Sequence, residues 1–210
     1  MAFNLNSFAG ALNAASLGAR PNLFKVTIPD NSLLSAENAK TFEFFCQSGQ
    51  IPGSTLGVIE VPYFGRTLKI PGNRTFEEWS TTITNSEGWE IRTSIEDWVA
   101  KINGHVTNTT ELDTLSSLST DLTIIHYGNG NVSGVDASGA ETLAPKEIAK
   151  YKLVGAWPSA VSAIDLAWDS NDTLETFDIT WQYQYWTRET GSSAAISSLD
   201  VNASDPSSNL

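Results

Sequence analysis

Two histidines, His105 and His126, are the side chains of this sequence that could serve as a general base beside a nucleophile. A Ser/His/Asp triad needs such a base next to an activated serine, which one large enzyme class carries in a Gly-x-Ser-x-Gly motif. His105 follows a helical pattern and His126 lies within a β pattern, and no such motif is near either residue. The sequence therefore does not favour triad chemistry.

Paired carboxylates could hydrolyse glycosidic bonds, and Glu77 and Glu78 are the most obvious pair. Their surroundings have the pattern of a β-strand, in which adjacent side chains point to opposite faces. The two carboxylates therefore cannot share one cleft. The seven tryptophans keep a non-catalytic carbohydrate-binding module open as an alternative.

Sites for metals and nucleotides are also incomplete. The segment Asp169-Ser170-Asn171-Asp172 resembles the start of a calcium loop but lacks the later Gly and Glu, so we interpret it as a turn. The segment Gly128-Asn129-Gly130-Asn131 lacks the helix that follows a phosphate-binding loop. One cysteine and two histidines cannot supply the roughly four protein ligands of structural zinc, and Cys46 is expected to be a small buried side chain. We predict no cofactor and no metal.

The charge balance argues against binding of nucleic acid. The 210 residues include 24 Asp and Glu against 12 Lys and Arg, a net charge of −12, whereas phosphate binding depends on clustered positive charge. No apolar run approaches the roughly 18 residues of a membrane-spanning helix, and the N-terminal residues lack the pattern of a secretory signal. We expect one folded domain without a membrane partner, resident in a cytoplasm.

Most elements that must position these residues are predicted to be β-strands, because apolar residues recur with period two. The predicted strands span residues 23–28, 41–46, 55–61, 66–70, 75–84, 122–127, 147–157 and 173–186. Long loops are predicted at 105–119 and 128–144, which are rich in Gly, Asn, Ser and Thr. The strand at 173–186 has one apolar face, and its other face is polar and free of cations: Thr176, Asp178, Thr180, Gln182 and Gln184.

One helix is predicted at 86–103. Its apolar side chains have helical spacing: Ile91, Ile95, Trp98 and Ile102. Asn85 or Ser86 can cap its start, and Gly104 can end it. The other face is acidic: Glu87, Glu90, Glu96 and Asp97.

Several motifs of the chain resemble one family in the same order. They are Arg20-Pro21-Asn22-Leu23-Phe24-x-Val26, Val61-Pro62-Tyr63-Phe64-Gly65-Arg66, Ile70-Pro71-Gly72-Asn73-Arg74-Thr75-Phe76-Glu77-Glu78-Trp79, Leu153-Val154-Gly155-Ala156-Trp157-Pro158 and Leu166-Ala167-Trp168-Asp169-Ser170-Asn171. Over residues 19–186 the sequence resembles the tail tube proteins of contractile-tailed bacteriophages.

The resemblance implies a mainly β fold, an antiparallel β-sandwich or barrel with one flanking α-helix. It implies a domain at 19–186 with a loop-rich insertion at 105–147, between an N-terminal arm (1–18) and a flexible C-terminal tail (187–210). In this family, six copies form a ring whose inner sheets join into a closed barrel, and rings stack into a tube inside a contractile sheath. Double-stranded DNA passes through the lumen without specific binding.

The resemblance also implies a structural, non-enzymatic protein without a cofactor. Its partners would be further copies of itself, the tail sheath protein, and baseplate and tail terminator proteins. It would be located in the tail of the virion and assembled in the cytoplasm of a host bacterium. Related tubes of protein-delivering injection systems or R-type bacteriocins share these motifs and remain an alternative, while a carbohydrate-binding module would be a monomer with saturable sugar affinity.

Four groups of residues receive predicted roles on this basis. The polar face 176–184 would line the lumen or, alternatively, lie on the outer surface. The predicted contacts between rings are Pro52, Gly53, Tyr63 and Phe64. The cations predicted to pair with carboxylates within or between subunits are Arg66, Lys69 and Arg74. The residues predicted to face the sheath are Glu87, Glu90, Glu96 and Asp97.

Overall fold

The computed structural model describes residues 4–14, 18–29, 34–111, 114–135 and 141–189. These residues form nine strands: β1 (Phe24–Thr27), β2 (Cys46–Gly49), β3 (Thr55–Tyr63), β4 (Arg66–Thr75), β5 (Trp79–Thr84), β6 (Thr120–Val135), β7 (Glu141–Val161), β8 (Thr176–Gln182) and β9 (Tyr185–Glu189). They also form four helices: α1 (Leu5–Ala14), α2 (Ala36–Phe45), α3 (Glu90–Ile102) and α4 (Leu115–Leu118).

The fold is mainly β and antiparallel, as the sequence predicts. Seven strands form one sheet in the order β1-β6-β7-β8-β5-β2, with β9 paired to β7. The long strand β7 pairs with β6 along most of its length and with β8 near its end, so it joins the two halves of the sheet. Strands β3 and β4 form a separate two-stranded sheet. Closure of the large sheet into a barrel is not seen in the single chain.

The core lies between the curled sheet and helix α3. The inward side chains of β5 and β8 alternate with outward polar ones, so that Trp79, Ile83, Phe177 and Trp181 are buried. Helix α3 contributes the predicted apolar stripe: Ile91, Ile95 and Trp98 are buried, and Ile102 is partly buried against the same cluster. The rings of Trp98 and Trp181 meet edge to face, with centroids 5.7 Å apart. Helix and sheet therefore share one hydrophobic core.

The strand predicted at 41–46 is wrong, because residues 36–45 form helix α2. The Ser35 hydroxyl accepts a hydrogen bond from the Asn38 backbone N–H, which caps the helix start. Phe42 is buried but Phe44 is 80% exposed, since residues two apart lie on opposite sides of a helix. The alternation of Phe42, Phe44 and Cys46 therefore does not reflect a strand, and α3 is not the single helix of the fold.

Helix α3 begins later than predicted, at Glu90 rather than Ser86. The residue before it, Trp89, has a φ of 58°, a left-handed conformation that separates the preceding turn from the helix. Ser86 still contributes, because its hydroxyl donates to the Glu90 carboxylate over 2.5 Å. Glu87 thus precedes the helix instead of lying on its acidic face.

The predicted loop at 128–144 is also wrong, because its described residues belong to strands. Asn131–Val135 of β6 pairs with Glu141–Pro145 of β7 through backbone hydrogen bonds, which do not require an apolar side-chain pattern. Residues 136–140 of that prediction lie outside the described residues. In the predicted loop 105–119, residues 115–118 form the short helix α4.

Several other strand predictions differ in their boundaries. The predicted strand 75–84 begins only at Trp79, so Glu77 and Glu78 lie in the connection between β4 and β5 and not on a strand. Strands β6 and β7 extend beyond the predicted strands 122–127 and 147–157. The predicted strand 173–186 starts at Thr176 and is interrupted at residues 183–184, where the Gln184 N–H donates to the Val154 carbonyl. Strand β9 then continues along the same edge of β7 as far as Glu189, so the first residues of the predicted tail are ordered in the sheet. Strand β4 runs through Pro71-Gly72-Asn73, which the sequence places between the predicted strands 66–70 and 75–84. A register shift between Leu56 and Val58 of β3 lies opposite this segment.

Candidate assembly surfaces

The β3–β4 hairpin is the first surface that could contact another protein. Its strands pair with each other and not with the large sheet. The cross-strand pairs Ile59–Ile70 and Val61–Leu68 alternate with Glu60–Lys69, so the four aliphatic residues share one face. All four are exposed in the single chain. An isolated two-stranded hairpin has marginal stability in water, and an apolar face of this kind indicates a partner surface.

The tip of the hairpin holds two of the residues predicted to contact another ring. Phe64 and Gly65 have φ values of 42° and 79°, and two positive φ values are characteristic of the type I′ turn that joins tight hairpins. Phe64 is 91% exposed and Tyr63 is 70% exposed. Their rings stack edge to face with centroids 4.6 Å apart. The structure therefore presents a pair of ordered aromatic rings to the solvent.

The other two residues predicted for this contact lie at the opposite end of the hairpin. Pro52 is buried, and the Gly53 carbonyl accepts a hydrogen bond of 3.0 Å from the Trp186 indole N–H. The nine residues of β3 separate them from the tip by roughly 25 Å at about 3.3 Å per residue. The structure thus brings Tyr63 and Phe64 together but places Pro52 and Gly53 at the anchor of the hairpin.

The three predicted pairing cations all lie on β4. Lys69 is 3.7 Å from the Glu60 carboxylate, an exposed cross-strand pair of the kind that contributes little to stability. Arg66 and Arg74 have no ion-pair partner within the part of the chain that the structure describes. Two guanidinium groups of the hairpin are therefore available to carboxylates of another molecule.

The predicted polar face lies on the outer side of β8 and extends across β5. The Thr82 hydroxyl donates to the Asp178 carboxylate over 2.7 Å, and the Gln182 amide donates to Glu78 over 3.2 Å. The outward residues of β8 are Thr176, Asp178, Thr180 and Gln182, and those of β5 are Ser80, Thr82 and Thr84. Gln184 is exposed in the break after β8. These two strands contain no Lys or Arg, so the face is neutral to acidic.

The acidic residues around α3 lie on the other side of the same sheet, because the helix packs on the inward faces of β5 and β8. Glu87, Glu90, Glu96 and Asp97 are all exposed. The hydrogen bond from Ser86 lowers the pKa of Glu90, which keeps this carboxylate ionised. Arg92 pairs with Glu96 over 2.7 Å and also donates to the Ser162 carbonyl. One of the four charges is therefore partly neutralised within the chain.

The loop at residues 162–175, here named the Trp168 loop, connects β7 to β8. Its side chains Leu166, Trp168 and Leu174 are exposed, Trp168 completely. The loop also carries four carboxylates and no cation: Asp165, Asp169, Asp172 and Glu175. Residues of the loop and of the start of β8 line a cleft of about 580 Å³. Sequence reasoning missed this surface, because exposure of a loop tryptophan leaves no periodic signal.

The side chains of His126 and Cys46 have structural rather than catalytic environments. The His126 ring nitrogen is 2.9 Å from the Arg20 carbonyl oxygen. Burial raises the pKa of the Cys46 thiol to about 12, so it remains protonated and a weak nucleophile. Within the described ranges, no group of three or more His, Cys, Asp or Glu side chains could hold a metal ion. Among the helices described, none is long and apolar enough to span a membrane.

Solved structures of contractile injection systems contain chains with a similar fold. A chain in the anti-feeding prophage baseplate superposes with a TM-score of 0.58 and 11% identity, covering 82% of this chain and 95% of that one. A chain in the sheath–tube complex of the extracellular contractile injection system PVC superposes with a TM-score of 0.55 and 16% identity, covering 90% and 100%. At these identities the likeness concerns the fold.

Sequence comparison is more specific. The tail tube protein gp19 of Enterobacteria phage T4 is 30% identical over 168 residues, which cover 80% of this chain and 90% of the relative. The tail tube protein of Serratia phage KSP90 is 26% identical over 180 residues, covering 85% and 93%. The family model described as phage tail tube protein matches residues 19–189. With an exposed hairpin, a polar sheet face and this match, the chain belongs to the phage tail tube protein family.

Proposed function

We propose that this chain is the structural subunit of the inner tube of a contractile phage tail. Six copies form a ring, and rings stack inside the sheath into a conduit for double-stranded DNA. The observation that carries this proposal is the arrangement of two surfaces on one sheet. The cation-free polar face lies on one side and the exposed acidic residues around α3 lie on the other. A subunit of a tube wall needs two such distinct sides.

The polar face is proposed to line the lumen. Six copies at −12 each carry −72 in total, and those of the charges that face inward repel a polyanion that must slide past the wall. The hydroxyl and amide groups of Thr176, Thr180, Gln182 and Gln184 are neutral, and Asp178 adds one carboxylate per copy. Such a surface offers DNA neither the cations nor the stacking rings that hold nucleic acid.

Ring formation would remove the open edges of the sheet. Within the described residues, the strand order ends at β1 and β2, and β9 pairs only with β7, so these three strands carry unpaired edges of the large sheet. Open edges favour pairing with another chain, and a closed ring of copies satisfies them without further growth. We propose that inner sheets of six copies join in this way into one barrel.

The hairpin tip and the acidic residues around α3 are assigned to contacts outside the ring. Tyr63 and Phe64 at the hairpin tip are proposed to contact the adjacent ring. The acidic residues Glu87, Glu90, Glu96 and Asp97 are proposed to face the sheath. Baseplate and tail terminator proteins would bind the two ends of the tube. The particle is the tail of a virion, assembled in the cytoplasm of the host bacterium.

A tube of a protein-delivering injection system is the second candidate, and the fold likeness to the AFP and PVC chains favours it. Both candidates require the same ring and stacking contacts. They differ in what passes through the lumen. The contents of purified particles, DNA or protein, distinguish them.

Electron microscopy of the purified protein tests the proposal, together with sedimentation at low and high concentration. We expect hollow tubes or six-fold rings, which appear as concentration rises because assembly is a mass-action process. A cryo-EM map of the tubes should place Asp178 and Gln182 on the inner wall. A map with these side chains on the outer wall contradicts the lumen assignment, and a monomer that binds glycans instead supports a carbohydrate-binding module.

A further inference from the structure

The hairpin and the Trp168 loop leave the sheet at opposite ends. In the antiparallel pair β5–β8, Trp79 lies opposite Trp181 and Thr84 lies opposite Thr176. The hairpin precedes β5 and therefore emerges at the Trp79 end, whereas the Trp168 loop precedes β8 and emerges at the Thr176 end. Five residue steps of about 3.3 Å separate the two ends by roughly 17 Å.

Hydrogen bonds fix both surfaces to their ends of the sheet. The Trp79 indole donates to the Gln50 carbonyl over 2.6 Å at the base of the hairpin. At the other end, the Asn85 N–H donates to the Glu175 carbonyl over 2.8 Å, where the Trp168 loop meets β8. Hydrogen bonds thus tie the two surfaces to opposite ends of one sheet.

The two surfaces are complementary in charge. The hairpin strands carry Arg66, Lys69 and Arg74 against Glu60, so their net charge is +3 − 1 = +2 in a chain whose total is −12. The Trp168 loop carries four carboxylates and no cation, a net charge of −4. Opposite charges on facing surfaces steer association and fix register. Repulsion between like charges also disfavours a contact between the hairpins of two copies or between their Trp168 loops.

The two surfaces also both expose apolar side chains that one chain cannot cover. The tip offers Tyr63 and Phe64, and the loop offers Leu166, Trp168 and Leu174 beside the cleft of about 580 Å³. Binding pockets in proteins commonly have volumes of about 300–1,000 Å³, so this cleft is large enough to receive aromatic side chains of the hairpin tip. Aromatic residues and arginine are the side chains most enriched among strong contacts between proteins.

Helix α1 is another apolar surface on which the hairpin could dock. It exposes Leu5, Phe8 and Leu12. Its ten residues, however, include no charged side chain, so they offer no partner for Arg66 or Arg74. The Trp168 loop satisfies both requirements.

We propose that the hairpin tip of one copy docks on the Trp168 loop of a copy in the next ring. This inference rests on the proposed function and names the partner surface of the hairpin. The contact joins two different surfaces of identical chains, so each added ring presents the same free surface again. The stack therefore grows without closing. Its two ends differ, because hairpins are exposed at one end and Trp168 loops at the other.

Thiol cross-linking tests the contact. In a Cys46→Ser background, the double variant Thr67→Cys with Ser170→Cys, which keeps Phe64 and Trp168, is treated with a short bismaleimide at concentrations where the protein sediments as tubes. We expect a ladder of covalent oligomers beyond the dimer, because each chain has one thiol on each side of the contact. A mixture of the two single variants should give heterodimers and no ladder. The matched control pairs Thr67→Cys with Phe8→Cys on α1 and should give about tenfold less product.

Charge reversal provides an independent variant. Arg66→Glu should reduce the cross-linked product about tenfold, as should Asp169→Lys, because each places like charges together. Combining the reversals in one chain should restore most of it. A ladder from the α1 control, or tubes that form without a 67–170 cross-link, overturns the inference and leaves the tube function intact. Failure of the unmodified protein to form rings or tubes at any concentration contradicts the proposed function itself.

Discussion

The core around Trp181 and the β3–β4 hairpin contain similar apolar side chains in opposite surroundings. Trp79, Trp98 and Trp181 are buried by one chain, whereas Ile59 and Leu68 of the hairpin remain exposed. The core residues are therefore used to fold a single copy. The hairpin residues contribute little to that fold and remain available for contacts between copies. Substitutions in the two regions should accordingly separate stability from assembly.

The largest effect on stability is expected for Trp181→Ala. Trp181 is fully buried, contacts the rings of Phe42 and Trp98, and donates to Thr81. Loss of such a side chain leaves a cavity and lowers the free energy of unfolding by about 3–5 kcal/mol. Chemical denaturation of the unassembled protein measures this change. A loss below about 1 kcal/mol would mean that the core is not organised around this residue.

A smaller loss is expected for Thr81→Val. The two side chains have nearly the same shape, but valine cannot accept the 3.0 Å hydrogen bond from the Trp181 indole N–H. An unsatisfied buried donor costs about 1–3 kcal/mol, which the same denaturation experiment can detect. The matched control is Thr82→Val, one residue away on the outer face, where solvent can replace the lost bond to Asp178. Equal losses for both variants would contradict the burial of the Thr81 hydroxyl.

The smallest effect on stability is expected for the double variant Tyr63→Ala, Phe64→Ala. Both rings are exposed, so the free energy of unfolding should change by no more than about 0.5 kcal/mol. Assembly should nevertheless be lost, with no tubes visible by electron microscopy at concentrations where the unmodified protein forms them. Phe44→Ala removes a similarly exposed ring outside the hairpin and should leave tubes unchanged. Normal polymerisation of the double variant would refute a contact role for the hairpin tip.

The sequence predicts best where local periodicity and burial agree. The alternation of Phe177, Ile179 and Trp181 marks β8, and the spacing of Ile91, Ile95 and Trp98 marks α3; all six side chains are buried. Periodicity is misleading for α2, where Phe42 and Phe44 alternate by coincidence and the Ser35 cap determines the helix. Short aromatic spacings cannot decide between strand and helix without the packing of neighbouring elements.

The sequence predicts contact surfaces less well than it predicts helices and strands. The predicted contact of Tyr63 with another ring rests on the resemblance to a family. The structure shows that the Tyr63 ring meets the Phe64 ring edge to face at the hairpin tip. The Trp168 loop carries no periodic pattern, and its exposure depends on how β7 and β8 are joined. The break at Gln184 depends on the long-range hydrogen bond to Val154, which local sequence does not encode. These features are determined by residues that are distant in the sequence but close in space.

Each strand of the hairpin contains one proline, Pro62 in β3 and Pro71 in β4. Proline has no backbone N–H, so neither strand can offer an uninterrupted row of donors to a passing strand. An exposed apolar hairpin without this interruption would be a nucleus for uncontrolled cross-β aggregation. The prolines therefore disfavour strand addition at the edges of the hairpin, and we expect side chains rather than added strands to select its partner.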